Sequence, residues 1–158
     1  MIKPKEHDEK FNQIIQELRA LRKDISDIKT YIERTLLALQ EEARGIIQHK
    51  LKKAGIPIKL KPLITPHLEI SIYGATEDTC IIGEVSTRTG TRIINALNKK
   101  IDELQRKHPE YLRPKIIKAI YTLWATDEAI EKAAQEGIWL IKATGELTPL
   151  KIINSTKK

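Results

Sequence analysis

The chain has 158 residues, of which 41% are hydrophobic and 31% are charged, and its formal net charge is +7. This balance is typical of a folded domain and argues against a disordered chain, while the positive charge favours a polyanion as partner. No apolar run approaches the ~20 residues that cross a bilayer, and the chain does not begin with a secretion signal. We therefore expect no membrane partner and a cytoplasmic location.

The first predicted element is one helix from about Asp8 to Lys53. Its early apolar residues alternate at spacings of three and four, the heptad pattern of a coiled coil. These residues are Phe11, Ile14, Leu18, Leu21, Ile25, Ile28 and Ile32. We predict an oligomerisation arm over residues 1–33, with residues 11–32 joining copies of the chain, most simply as a homodimer. The alternative is that the arm folds back on its own domain.

Beyond Ile32 the apolar stripe widens, which is typical of a helix that lies on a globular core. Residues 34–148 then predict an α/β domain with a mixed sheet, in the order helix, three strands, helix, strand, helix, strand. The predicted strands are Ile56–Leu60, Leu68–Tyr73, Cys80–Val85, Lys115–Trp124 and Ile138–Lys142. The two predicted helices between strands run from Thr89 to Pro109 and from Thr126 to Gly137. Residues 149–158 predict a flexible tail.

Cys80 lies in an apolar run and predicts a buried thiol, and the four histidines lack the spacing of metal ligands. We therefore expect no cofactor from the spacing of these residues. The abundance of Ile, Lys and Glu, with little Asn, Cys and Met, is common in heat-adapted proteins.

Two neighbouring segments carry a more specific pattern, Glu69-Ile70-Ser71-Ile72-Tyr73 and Ile81-Ile82-Gly83-Glu84-Val85-Ser86. Together they resemble the core hairpin of the PD-(D/E)XK nuclease superfamily, in particular the archaeal Holliday-junction resolvase domain, here behind a coiled coil. The resemblance covers roughly residues 34–142 and implies a restriction-endonuclease-like fold. It also implies that two carboxylates hold Mg²⁺ for phosphodiester cleavage while a lysine supports the developing charge.

Carried onto this chain, the resemblance puts the family's third-strand acid at Glu84, its lysine at Ser86 and its second-strand acid at Ser71. Neither serine can supply the charge required at its position. Glu69 could act as a migrated acid, so that Glu84 and Glu69 would hold Mg²⁺ in an active enzyme, and Lys99 or Lys100 could replace the lysine. Strand alternation predicts Glu69 and Ser71 on one face, and likewise Glu84 and Ser86.

Glu84 stands in an apolar strand, where an unpaired charge is costly. Three interpretations stay open: a vestigial acid paired with Arg88 or a nearby lysine, a working metal ligand, or a strand-end residue in water. On the first helix, Glu41 or Glu42 could match an extra acid of the family or be a solvated residue.

Basic residues form two groups along the sequence. Lys52 and Lys53 belong to a stretch without acidic residues, and the second group follows the hairpin. The second group includes Arg88, Arg92, Lys99 and Lys100. We predict these residues as candidate nucleic-acid contacts, although solvated helix faces have the same composition.

Three functions follow from these patterns. We favour a coiled-coil dimer with a nuclease-like domain that has lost catalysis and keeps a DNA-binding or scaffolding role. The second is an active Mg²⁺-dependent DNA endonuclease with migrated residues. The third is a protein-docking coiled coil.

Overall fold

The computed structural model describes residues 4–154. Its helices are α1 (Pro4–Lys53), α2 (Thr91–Lys107) and α3 (Asp127–Glu136), with a short 3-10 helix at Pro109–Tyr111. Its strands are β1 (Lys61–Thr65), β2 (Leu68–Ala75), β3 (Thr79–Thr89), β4 (Lys115–Ala125), β5 (Ile138–Lys142), β6 (Gly145–Glu146) and β7 (Ile153–Asn154). No helix among these residues is both long and apolar enough to cross a lipid bilayer.

The seven strands form one mixed sheet in the order β1-β2-β3-β4-β5-β6, with β7 paired to β4. Strands β1, β2 and β3 are antiparallel neighbours, and β3, β4 and β5 are parallel neighbours. The parallel pairs need crossover connections, which α2 and α3 supply. The predicted α/β class, the mixed sheet and the antiparallel hairpin are therefore confirmed.

Two apolar clusters cover the two faces of the sheet. Alternation in β3 sends Ile81 into one cluster and Ile82 into the other. The first cluster includes the buried α1 residues Ala43, Ile47 and Leu51. The second includes the buried faces of α2 and α3. The sheet is thus a layer between helices, which is how an α/β domain buries two apolar faces.

The chain divides into two compact units, one ending at Ala38 and one beginning at Leu39. In the described part of the first unit, residues 4–38 are helical throughout, and the apolar residues of the heptad pattern are exposed. We call residues 4–38 the arm and residues 39–154 the domain. The predicted boundary lay near residue 33, because the apolar stripe widens there before any residue of α1 becomes buried.

Local sequence signals place several element ends where they were predicted. Gly55, after α1, has φ +80°, and Gly137, after α3, has φ +71°, conformations that glycine adopts without steric penalty. The Thr126 side chain accepts a hydrogen bond from the Ala129 N–H and so caps α3.

Two segments differ from expectation. The first strand is Lys61–Thr65, with Pro62 tolerated at the sheet edge, and not Ile56–Leu60. Ile58 and Leu60 instead bury their side chains beside α1, and the Leu60 N–H donates to Gln48 Oε1 at 2.9 Å. The expected flexible tail, residues 149–158, contributes β7, whose Ile153 pairs with Ile116 of β4. Residues 155–158 lie outside the described residues.

Candidate functional site

The candidate site lies where β2 and β3 stop pairing. Their ladder runs from Ala75–Cys80 to Ile72–Gly83, and Glu84 is the next residue of β3. Strand β3 continues beside β4 as far as the Thr89–Ala125 pair. From Glu84 onward, the backbone of β3 is therefore not paired with β2.

Glu84 is paired with a lysine of α2. The Glu84 side chain is 13% exposed, and its Oε1 forms an ion pair with Lys100 Nζ. Its Oε2 accepts a hydrogen bond from the Ser71 N–H at 3.3 Å. Lys100 Nζ also donates to the Glu69 backbone oxygen at 2.8 Å. A largely buried carboxylate needs such partners, because an uncompensated charge there costs several kcal/mol, roughly.

Ser71 takes part in the site through its backbone as well as its side chain. Its carbonyl oxygen accepts a hydrogen bond from Arg44 Nη1 at 2.9 Å, and its Oγ accepts one from Gln40 Nε2 at 3.3 Å. Together with the N–H that faces Glu84, all three polar groups of Ser71 have partners. This residue ties α1 to β2 and to the Glu84 carboxylate.

A β-bulge alters the alternation that was predicted along β2. Between the pairs Leu63–Ile70 and Lys61–Tyr73 the register shifts, so β2 has one more residue than β1. As a result Ile70 and Ile72 pack in different core clusters. The shift lies beyond Ile70, and Leu68 and Ile70 still share one cluster, so the common face of Glu69 and Ser71 stays a prediction. The Glu69 side chain is exposed.

Ser86 and Arg88 form a local arrangement near the end of β3. Ser86 Oγ donates a hydrogen bond to the Arg88 backbone oxygen at 2.7 Å. The Arg88 guanidinium carbon lies 4.9 Å from the centroid of the Trp124 ring, a cation–π contact. Arg88, one of the partners anticipated for Glu84, is thus placed on Trp124, which is 50% exposed.

A tyrosine–carboxylate contact on the α1 side of the sheet was not predicted. The buried Tyr121 donates its hydroxyl to Glu42 Oε2 at 3.0 Å. Burial, followed by this hydrogen bond and the Glu42 charge, raises the pKa of Tyr121 to about 12. Glu42 therefore has a partner on β4. The sequence distance of 79 residues explains why no local pattern could indicate the pair.

The structure separates the basic residues into two surfaces. Arg92 and Lys99 are exposed and line a shallow depression on α2. Lys52 and Lys53 are exposed at the end of α1. Because α1 and α2 cover opposite faces of the sheet, these two groups do not form one continuous patch. Lys100, from the same predicted group, belongs to the Glu84 site.

The donor set around Glu84 does not fit a divalent cation. Mg²⁺ prefers several oxygen ligands, yet here an ammonium group occupies the Glu84 carboxylate and Ser71 offers no charge. Among residues 4–154 there is no group of three or more His, Cys, Asp or Glu side chains that could hold a metal ion.

The fold and site define an α/β domain in which a strand carboxylate, Glu84, forms an ion pair with a lysine of α2. The pair lies at the point where β2 and β3 stop pairing. Residues 41–150 match a family model described as a domain of unknown function, DUF8196. The match covers more than half of the chain, which therefore belongs to this family. No curated protein and no solved structure matches the chain.

Proposed function

We propose that this protein is a coiled-coil homodimer whose domain has the architecture of the PD-(D/E)XK nucleases but binds nucleic acid without cleaving it. Support for the architecture comes from the order α1, β1, β2, β3, α2, β4 with an antiparallel hairpin and a parallel crossover. Fold alone does not carry a function, so the chemistry of the Glu84 site decides between binding and cleavage.

The pairing of Glu84 with Lys100 is the observation that carries the proposal. In this superfamily the carboxylate at the Glu84 position is expected to hold Mg²⁺ beside a second acid. Here that second position is Ser71, and its N–H donates to the same carboxylate. An acid that already has protein partners on both oxygens acts as a structural link between β2, β3 and α2.

The exposed cations near the site support nucleic-acid binding. Arg88 and Arg92 flank the connection between β3 and α2, and Lys99 lies farther along α2. Each arginine or lysine that contacts a phosphate releases counterions, so binding should weaken steeply with salt. The half-exposed Trp124 under Arg88 adds an aromatic surface to which an unpaired base could stack.

Fluorescence anisotropy with labelled duplex and branched DNA tests the binding part of the proposal. We expect micromolar or tighter binding at low salt, and the double variant Arg88→Gln/Arg92→Gln should weaken it by about tenfold or more. The matched control is Lys142→Gln/Lys151→Gln, which removes the same charge elsewhere in the domain. Equal weakening in both variants would show only a net-charge effect and would contradict a specific surface.

The same anisotropy measurement tests the other basic surface, at the end of α1. The variant Lys52→Gln/Lys53→Gln should leave binding within about threefold of the parent protein, as expected for distant charges at moderate salt. A larger loss of DNA affinity in this variant than in Arg88→Gln/Arg92→Gln would indicate that nucleic acid binds on the opposite face of the sheet.

An active endonuclease is the second candidate, favoured by the position of Lys100 at the Glu84 carboxylate. In that case Lys100 would be a migrated lysine, and Mg²⁺ binding would require rearrangement of the ion pair. Cleavage of duplex and branched DNA in Mg²⁺ and in Mn²⁺ distinguishes the two candidates. Metal-dependent cutting by the parent protein that Glu84→Ala loses would replace our proposal with this one.

Truncation distinguishes a protein-docking role of the arm from nucleic-acid binding by the domain. A chain that lacks residues 1–33 should keep the DNA affinity of a single domain if the domain carries the function. If docking is the function, the truncated chain would lose recruitment of a partner protein while its domain stays folded.

A further inference from the structure

The arm carries charged residues on both sides of its apolar seam. With Phe11, Leu18, Ile25 and Ile32 at heptad position a, Ile14, Leu21 and Ile28 fall at position d. The flanking g positions then hold the acids Glu17 and Asp24, and the flanking e positions hold the bases Arg22 and Lys29. The seam itself is exposed; Ile25, for example, is 57% exposed.

A parallel, in-register pair would match these charges. In that arrangement each g residue faces the e residue of the next heptad on the other helix, five positions later in the sequence. Glu17 would meet the partner subunit's Arg22, and Asp24 would meet the partner subunit's Lys29. The following g and e positions hold Tyr31 and Leu36, both exposed, which would form an apolar contact at the same site.

An antiparallel pair would oppose like charges, because g then faces g and e faces e. In one antiparallel arrangement that pairs six of the seven seam residues, Ile14 lies opposite the partner subunit's Ile32. Arg22 would then meet the partner subunit's Arg22, and Asp24 would meet the partner subunit's Asp24. Interhelical charges of this kind set orientation more than affinity, so the pattern discriminates between the two arrangements.

We propose that the arm forms a parallel, in-register coiled coil with a second copy of this chain. The proposal rests on the self-association put forward above and adds its orientation and register. Since the domain follows directly at Leu39, parallel pairing starts every domain of the assembly at the same end of the coiled coil. Copies of a nucleic-acid surface would then be tethered at a high effective concentration.

Disulfide exchange between two cysteine variants of the full chain tests the orientation. Ile14→Cys and Ile32→Cys are mixed in a glutathione redox buffer, and the cross-linked peptides are identified by mass spectrometry. We expect disulfides that join position 14 to position 14 and position 32 to position 32. The parent protein is the control, because its Cys80 is buried. A predominant disulfide between positions 14 and 32 would show antiparallel pairing and overturn the proposal.

Charge reversal on the seam tests the register through dissociation of the full chain, measured by sedimentation equilibrium. Arg22→Glu/Lys29→Glu places acid opposite acid and should weaken self-association by about tenfold or more. The control Arg19→Glu/Lys23→Glu has the same net charge but lies at positions b and f, away from the seam. Equal dissociation constants for the two variants would overturn the proposed register.

Self-association and the orientation of the two helices are tested separately by these experiments. A parent protein that sediments as a monomer, together with Ile14→Cys and Ile32→Cys variants that form no cross-links, would overturn both the orientation and the self-association. It would leave the anisotropy test of nucleic-acid binding unaffected. A disulfide between positions 14 and 32 would overturn the parallel orientation alone.

Discussion

The isoleucine and leucine side chains of α1 are mostly exposed in the arm and buried or half-buried in the domain, although one continuous helix carries both sets. In the arm Leu18 is 51% exposed, whereas in the domain Ile47 and Leu51 are fully buried. The difference lies in periodicity. A narrow stripe at positions a and d suits a partner helix, and the wider stripe after Ile32 suits a sheet. Composition alone would not have separated the two regions, and only the domain buries its apolar residues within one chain.

The largest difference between the two regions should come from shortening a leucine in each. Leu97→Ala in α2 should lower the free energy of domain unfolding by about 3 kcal/mol, because Leu97 is fully buried. Leu18→Ala in the arm should leave domain unfolding unchanged and weaken self-association. Denaturation followed by tryptophan fluorescence reports the domain, which contains both Trp124 and Trp139. Equal shifts of this transition in both variants would mean that Leu18 of the arm stabilises the domain as much as Leu97 does.

Removal of the Glu84–Lys100 ion pair should have the next largest effect on the stability of the domain. Lys100→Met should lower the free energy of domain unfolding by about 1–2 kcal/mol, less than a fully buried pair, since the Lys100 side chain is 36% exposed. The exposed pair Lys107–Glu103 provides the control, and Lys107→Met should lower this free energy much less than Lys100→Met does.

A double-mutant cycle isolates the pairwise part of that effect. Adding Glu84→Gln to Lys100→Met should recover part of the loss, because the neutral amide that replaces the Glu84 carboxylate does not need a cation. Strictly additive effects in urea denaturation would mean that Glu84 and Lys100 do not stabilise each other.

The cap of α3 should contribute less. Thr126→Ala removes the acceptor of the Ala129 N–H and should lower the free energy of domain unfolding by about 1 kcal/mol. Thr126→Ser keeps the acceptor and should stay close to the parent protein. Thermal unfolding of the three proteins measures the difference, and an equal loss in both variants would assign it to the Thr126 methyl group.

Tyr121→Phe should lower the free energy of domain unfolding less than Thr126→Ala does near neutral pH, by about 0.5–1 kcal/mol, since Glu42 stays accessible to water. The pKa of Tyr121 is raised from 10.0 to about 12 in the folded protein. Between these values the unfolded state loses the proton first, so stability falls as pH rises. The advantage of the parent protein over Tyr121→Phe should therefore shrink above pH ~10 in denaturation curves.

Local signals in the sequence were sufficient for most of the domain. The continuous apolar run of β4, the threonine cap at Thr126 and the glycine at Gly137 each specify their own element. The first strand was placed too early because Ile58 and Leu60 are apolar for a different reason, their packing beside α1. Strand β7 depends on a pairing with β4 almost forty residues away, which no local pattern encodes.

The candidate site was predictable in part. Glu84 was identified from its apolar neighbours, and a nearby lysine was one of its anticipated partners. The β2 bulge was not predictable, because the alternation of Ile70 and Ile72 is intact in the sequence and broken only by pairing with β1. The contacts of Arg44 and Gln40 with Ser71 also depend on how α1 packs against the sheet.

The central claim is that the protein's own groups, and not a metal, satisfy the Glu84 carboxylate. Isothermal titration of Mn²⁺ into the full chain and into Glu84→Gln tests it most directly. We predict that the two titrations coincide, with no saturable heat that depends on Glu84. Saturable Mn²⁺ binding by the parent protein that Glu84→Gln abolishes would contradict the claim and favour the endonuclease.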